Sequence, residues 1–266
     1  MYDRYKRHIH YLRISVTDRC NLRCTYCMPE EGIQLMNHQD ILSFDEIREV
    51  VKVAVSLGVD KFRITGGEPL VRKDIVTLIS QIAAVDGVKD LSMTTNGIFL
   101  EELAQPLKDA GLQRVNISLD TLNAEKFKSI TRGGDLSRVL RGIEAAQFAG
   151  IDPVKINCVV MQSSMEEDAL AVKEFGRKNN IQVRFIHQMN LETGEFSIVE
   201  GGNGGNCHQC NRLRLTANGM VMPCLFDEQR FSVRELGAEK ALLRALDCKP
   251  LNGCLNRKGS FYNIGG

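Results

Sequence analysis

Three cysteines fall within one short segment, Cys20-Asn21-Leu22-Arg23-Cys24-Thr25-Tyr26-Cys27. Thiolates spaced as C-x3-C-x2-C can hold three irons of a 4Fe–4S cluster and leave the fourth iron open to another ligand. A zinc site would want four closed ligands, and no fourth donor is close in sequence. His8 and His10 lie upstream and read as surface or packing residues. A second group follows near the other end of the chain: Cys207, Cys210 and Cys224. It reads as a second iron–sulfur cluster, or as a zinc knuckle completed by His208, Cys248 or Cys254. Between its members, Arg212 and Arg214 share one face of an expected strand. Paired guanidinium groups beside a metal site suit a phosphate or an electron-rich base. The chain has nine cysteines, and in a reducing compartment that number points to metal ligation more than to disulfides. Cys158 sits inside an apolar strand and is expected in the core.

The elements that must carry these groups alternate regularly. Strands are expected at Leu12–Val16, Lys61–Thr65, Asp90–Thr95, Arg114–Leu119, Val154–Val160 and Gln182–His187. Helices are expected at Asp45–Leu57, Asp74–Val85, Leu100–Ala110, Leu136–Ala149 and Met165–Asn179. Ser43 with Glu46 has capping-box spacing, and Gly58, Gly111 and Gly150 stand where helices should stop. Such alternation predicts an α/β fold with a parallel sheet and right-handed crossovers. The expectation is an incomplete (βα)6 barrel like that of triosephosphate isomerase, with a doubly wound open sheet as the rival. The first cysteine group then lies in the loop after the first strand, at the mouth where barrel enzymes build their sites.

After Met189 the pattern changes. Glu200 to Asn206 is rich in glycine and turn residues, and Ala217-Asn218-Gly219 between Arg212–Thr216 and Met220–Met222 is a hairpin signal. Ser232–Asp247 reads as a helix. Residues 1–190 are therefore taken as the barrel, and 191–266 as a small cysteine-bearing extension that binds a cluster. Composition excludes several classes. Hydrophobic residues make up 43% and charged residues 25%, as in an ordinary globular protein. A net charge of +1 gives no whole-molecule attraction to nucleic acid or membrane. No stretch approaches the roughly 20 apolar residues of a membrane span, and Met1 to Arg7 has no apolar run behind it, so a cytoplasmic protein without a signal peptide is expected.

C-x3-C-x2-C with Tyr26 before its last cysteine resembles the radical S-adenosylmethionine (SAM) superfamily. Its members bind SAM at the open iron and cleave it reductively to a 5′-deoxyadenosyl radical. Gly66-Gly67-Glu68-Pro69 looks like the superfamily's glycine-rich segment that meets the SAM amino group; taken alone it is a turn between strand and helix. More narrowly, three features resemble the GTP 3′,8-cyclase family of molybdenum-cofactor biosynthesis (the MoaA family). They are Leu12-Arg13-Ile14-Ser15-Val16-Thr17-Asp18-Arg19-Cys20-Asn21, Cys207-x2-Cys210-Asn211-Arg212-Leu213-Arg214-Leu215 with Cys224, and the ending Gly265-Gly266. The resemblance implies two 4Fe–4S clusters, one held by Cys20, Cys24 and Cys27, the other by Cys207, Cys210 and Cys224. It implies SAM contacts from Tyr26, Gly67, Ser118 and Met189. It implies a GTP pocket from Arg13, Lys61, Arg63, Thr94, Lys155, Arg184, Arg212 and Arg214, with Arg212, Arg214, Gly265 and Gly266 assisting catalysis. The radical would abstract the 3′ hydrogen of the GTP ribose, and the carbon radical would add to C8 of guanine, giving 3′,8-cyclo-7,8-dihydro-GTP. The implied partners are a small-protein electron donor and a downstream pyranopterin-forming enzyme; a homodimer is compatible. Independently of the resemblance, Arg13, Lys61, Arg63, Lys155 and Arg184 lie in strands otherwise rich in apolar residues. Buried there, each must pair with a carboxylate, such as Glu68 or Asp120, or face a polar cavity.

The chain departs from that family's pattern at its C-terminal side. Only Asn190 to Asn206 separates Met189 from Cys207, and His187 stands where the family usually has an acidic residue after Arg-Phe-Ile. The stretch after Cys224 is short and carries Cys248 and Cys254, either of which could close the second cluster as a fourth ligand. The expectation is a shortened cyclase, with another nucleotide or a peptide as the alternative substrate.

Overall fold

The computed structural model describes residues 1–189 and 196–253. Strands β1 (Tyr11–Ser15), β2 (Lys61–Thr65), β3 (Asp90–Thr95), β4 (Arg114–Ser118), β5 (Val154–Val160) and β6 (Gln182–His187) run parallel. Helices α1 (Phe44–Ser56), α2 (Ile75–Ala83), α3 (Leu100–Asp109), α4 (Ala124–Thr131), α5 (Leu136–Phe148) and α6 (Glu167–Lys178) connect them. Strand neighbours follow chain order from β6 back to β1. That order excludes the doubly wound rival, whose strand order reverses at a switch point. Each strand is followed by a crossover to its immediate neighbour, as in a partial barrel.

The sheet continues past β1. β7 (Arg212–Leu215) pairs with β1 in parallel, and β8 (Met220–Met222) and β9 (Phe231–Ser232) follow as antiparallel strands. The Asn218-Gly219 turn joins β7 to β8, with Gly219 at φ 83°. The single helix expected over 232–247 is corrected: Ser232 ends β9, and two helices follow, α7 (Val233–Leu236) and α8 (Ala238–Asp247). Gly237, at φ 78°, breaks the run because that conformation is open to glycine and leaves the helical path. α4 was not expected. It is short, and its start rests on the Asn123 side chain, which accepts from the Glu125 and Lys126 N–H groups.

Alternation along the strands separates two chemistries. Leu12, Ile14, Phe62, Ile64, Leu91, Met93, Val115, Ile117, Leu213 and Leu215 are buried with the helices in one core. The opposite face carries Arg13, Ser15, Arg63, Thr65, Ser92, Asn116 and Arg214, and these too are buried. The barrel interior is thus polar, and buried along β1 to β4 and β7. Helix boundaries follow local rules: Ser43 and Glu46 form the capping box of α1, and Gly58, Gly111 and Gly150 take φ values of 92°, 100° and 73° after their helices.

Candidate active site

Cys20, Cys24 and Cys27 lie in the loop that leaves the C-terminal end of β1. The loop is held from both sides. Gly67 N–H donates to Thr17 O at 2.8 Å, and Glu68 N–H donates to Arg19 O at 2.8 Å. A Cβ on Gly67 would lie 2.4 Å from Arg19 O, so only glycine lets the two loops lie this close. The Glu68 carboxylate accepts from the Thr95 hydroxyl at 2.7 Å, from Asn96 N–H at 2.7 Å and from Leu70 N–H at 3.0 Å. On the other side Thr25 N–H donates to Ile130 O at 2.9 Å, and Arg132 Nη1 donates to Arg23 O at 3.1 Å and Met28 O at 2.8 Å. Tyr26 donates its hydroxyl proton to Asp120 Oδ2 at 2.7 Å, and Asp120 Oδ1 accepts from Val159 N–H at 2.8 Å.

These thiols are free rather than paired in disulfides. Burial, with the neighbouring Cys27 sulfur and acidic groups adding to it, pushes the Cys20 thiol up to about 11 and the Cys24 thiol up to about 12. Neutral thiols in a desolvated loop become ligands only when a metal drives off their protons. Among the described residues no three His, Cys, Asp or Glu side chains are close enough to share one metal ion. Three soft donors that feel one another's field from separate positions suit a cluster whose ligands sit on different irons.

The polar face begins where this loop ends. Register aligns Arg63 on β2 with Arg13 on β1 and Arg214 on β7, and one level lower Lys61 with Tyr11 and Arg212. Further round, Thr94 is level with Asn116 and Lys155, and Ser118 with Asn157 and Arg184. Every cation expected in the pocket therefore lies on one concave surface. The carboxylate partners suggested as alternatives, Glu68 and Asp120, are occupied by the loop contacts above. Asp90 is the acid on this surface: it pairs with Lys61 at 3.0 Å and with Arg114 at 2.6 Å. Lys61 is thus partly neutralised. Arg63 Nε is held by the Ser92 hydroxyl at 3.2 Å. Arg13 Nε, Arg184 Nε, the Thr94 hydroxyl and the Tyr11 hydroxyl are buried with no hydrogen-bond partner. Burial and the neighbouring Arg214 hold the Arg13 guanidinium well below its usual range. Crowded cations with orphaned donors are costly unless an anion joins them.

The second cysteine group stands at the opposite end of β1. Cys207 and Cys210 precede β7, which is parallel to β1; β8 runs back, so Cys224 returns to the start of β7. Arg7 Nη1 donates to Cys207 O at 2.6 Å and Leu251 O at 3.1 Å, and Nη2 donates to Pro250 O at 2.7 Å. Arg7 Nε rests on Asp3 Oδ2 at 2.7 Å. Burial would raise the Cys210 thiol, but Lys249 and Arg212 outweigh it and hold it at about 7. Ser118 ends β4, and Met189 follows β6 half-buried. Cys254, Gly265 and Gly266 lie outside the described residues. Tyr11, Asn116, Asn157, Arg114 and Lys249 were not singled out from sequence. Strand alternation could have found the first four, Tyr11 with Arg13, Asn157 with Lys155, and Asn116 and Arg114 with Ser118; nothing local marks Lys249.

The radical SAM superfamily model matches residues 14–176. GTP 3′,8-cyclase of Moorella thermoacetica is 39% identical, with 92% of this chain and 91% of that protein covered. That of Thermodesulfovibrio yellowstonii is 40% identical, with 89% and 88% covered. The Clostridium botulinum enzyme is 38% identical over 319 positions with 100% of both chains covered. The chain has only 266 residues, so that alignment passes over segments the relative has and this chain lacks. Among solved structures, Streptococcus suis SuiB bound to precursor peptide SuiA superposes with a TM-score of 0.69 at 16% identity, covering 94% of this chain and 67% of that one. Native anSMEcpe with bound AdoMet and Cp18Cys peptide gives 0.62 at 18% identity, covering 91% and 81%. At those identities the likeness is one of fold. The match over the barrel, together with relatives near 40% identity along most of their length, shows that the chain belongs to the radical SAM superfamily and, within it, to the GTP 3′,8-cyclase family.

Proposed function

We propose that this protein converts GTP into 3′,8-cyclo-7,8-dihydro-GTP in molybdenum-cofactor biosynthesis. One observation carries the reading: two cysteine groups lie at opposite ends of β1, with a largely buried cationic surface carrying orphaned donors between them. β1 has five residues, about 17 Å at roughly 3.3 Å per residue. An elongated polyanion with a base at one end and phosphates along its length would fit that span.

In this reading Cys20, Cys24 and Cys27 hold a 4Fe–4S cluster. With SAM bound there, the chemistry supplied would be one-electron reductive cleavage of SAM, and the resulting 5′-deoxyadenosyl radical would take the ribose 3′ hydrogen. Gly67 keeps its own loop close against the cysteine-bearing loop, and Tyr26, Ser118 and Met189 would line the SAM site at the same mouth. Arg13, Arg63, Lys155, Arg184 and Arg214 bind the triphosphate, and Thr94 donates its free hydroxyl. Lys61 contributes less charge because Asp90 shares it. Cys207, Cys210 and Cys224 hold a second cluster at the base end, beside Arg212. Fixing both ends of the nucleotide orients the 3′ carbon toward C8, which is the protein's main contribution to rate. Gly265 and Gly266, which lie outside the described residues, would assist catalysis as the family resemblance implies. A small-protein donor supplies electrons in the cytoplasm, and a pyranopterin-forming enzyme takes the product.

The test is an anaerobic assay of protein reconstituted with iron and sulfide, given SAM, a strong reductant and each nucleoside triphosphate in turn. GTP alone should raise 5′-deoxyadenosine and yield an isomer of GTP that oxidises to a pterin. SAM cleavage that leaves every nucleotide intact would overturn the substrate.

A further inference from the structure

Lys249 follows the end of α8 and is 1% exposed. Its Nζ donates to Arg212 O at 2.7 Å and to Pro223 O at 2.7 Å. The first carbonyl lies two residues beyond Cys210, the second one residue before Cys224. The ammonium therefore ties the start of β7 to the segment after β8, the two places beside which these cysteines lie. Both carbonyls belong to residues that flank the cysteines, so the ammonium sits beside Cys210 and Cys224. Arg7 borders the same region from the other side, but Arg7 rests on the Asp3 carboxylate. Among the described residues Lys249 has no such partner: the groups near it that can carry negative charge are Cys210 and Cys224.

A buried ammonium held by two neutral carbonyls and facing no carboxylate is costly unless negative charge lies beside it. A negatively charged cluster held by these cysteines would offset that charge. Resting on the reading that Cys207, Cys210 and Cys224 hold a cluster, we propose that Lys249 is the built-in counter-ion of that site and sets its reduction potential. One-electron reduction adds one negative charge to the site and requires no proton. A fixed ammonium beside Cys210 favours the more negative form, so Lys249 raises the midpoint potential. Charge and hydrogen bonding to cluster sulfurs are recognised levers on such potentials. Lys249 acts through the cysteines and is a positioning residue.

The test uses a chain in which Cys20, Cys24 and Cys27 are replaced by alanine, so that any reconstituted cluster belongs to the second site. Iron content is measured, and the midpoint potential is read anaerobically by electron paramagnetic resonance during titration with dithionite and mediators. Lys249→Met should bind iron and shift the midpoint to a more negative potential, while Lys249→Arg, which keeps the charge, should stay close to the parent. Where Lys249→Met fails to fold or to take up iron, Lys249→Gln keeps a donor for the carbonyls without the charge and should show the same negative shift. A midpoint unmoved in the uncharged variants, or moved equally by Lys249→Arg, would reduce Lys249 to a structural tether and overturn the proposal. A parent that takes up no iron would show that the second-cluster reading itself is wrong, and the proposal would fall with it.

Discussion

Arg13 concentrates the chemistry of the pocket in one side chain. It lies mid-strand, its Nε has no partner, and Arg63 and Arg214 flank it in register. Such a residue weakens the empty protein and strengthens the loaded one. Arg13→Met should therefore leave the thermal midpoint of the nucleotide-free protein unchanged or higher. It should weaken GTP binding roughly 10- to 100-fold, since a charged hydrogen bond is worth about 1.5–3 kcal/mol. Calorimetry with and without GTP reads both; a lowered midpoint with unchanged affinity would mean a structural role. Glu68 gives a pH signature at the same scale. Burial pushes its carboxyl from 4.5 up to about 7, although three donors oppose the shift. A carboxyl raised on folding costs nothing below its unfolded value and costs progressively more as pH rises toward its folded value. Its contribution to apo-protein stability should therefore fall between about pH 4.5 and 7. Urea unfolding across that window should show a shallower decline in Glu68→Gln; an identical slope would assign the decline elsewhere.

At the scale of elements, α4 explains how a glycine-poor, cysteine-bearing loop is kept in one shape. Its C-terminal cap, Arg132, takes φ 52°, which turns the side chain back onto the carbonyls of Arg23 and Met28. Arg132→Gln loses both contacts while leaving the barrel core untouched. Iron bound at Cys20, Cys24 and Cys27 should then be lost faster to a chelator, while the melting midpoint changes little, because exposed hydrogen bonds contribute only about 0.5–1.5 kcal/mol each. Unaltered iron release would show that the Gly67, Glu68, Thr25 and Tyr26 contacts hold the loop without Arg132. The periodicity of α1, α2, α3, α5 and α6 was legible because each presents an apolar face to one sheet. α4 and the break at Gly237 were not, since a short helix has too few turns to show a period and one glycine inside a helical pattern is tolerated as often as it ends one.

For the whole molecule, β7 makes the extension part of the barrel sheet. It covers the open edge of β1 and adds Leu213 and Leu215 to the apolar core. A chain cut after residue 189 would expose that edge and part of that core, and unpaired edges promote association. It should elute from size-exclusion chromatography as aggregate or be recovered unfolded. A monomeric fragment with full helix content would make residues 1–189 a self-sufficient domain.

Cysteine spacing, strand–helix alternation and charged residues inside apolar strands are all local in sequence. They were enough to indicate a parallel barrel with cations on its inner face, and to propose cluster ligands, because each depends on chemistry within a few residues. Placement across the chain depended on pairing. Only strand order excluded the doubly wound sheet, and only the parallel β1–β7 ladder put the two cysteine groups at opposite ends of one surface. Asp90, rather than Glu68 or Asp120, neutralises Lys61 because register sets it beside that residue. Lys249 meets Cys210 and Cys224 because α8 packs back against the hairpin. These are contacts between residues distant in sequence, and they are fixed by the burial of apolar faces shared among many elements.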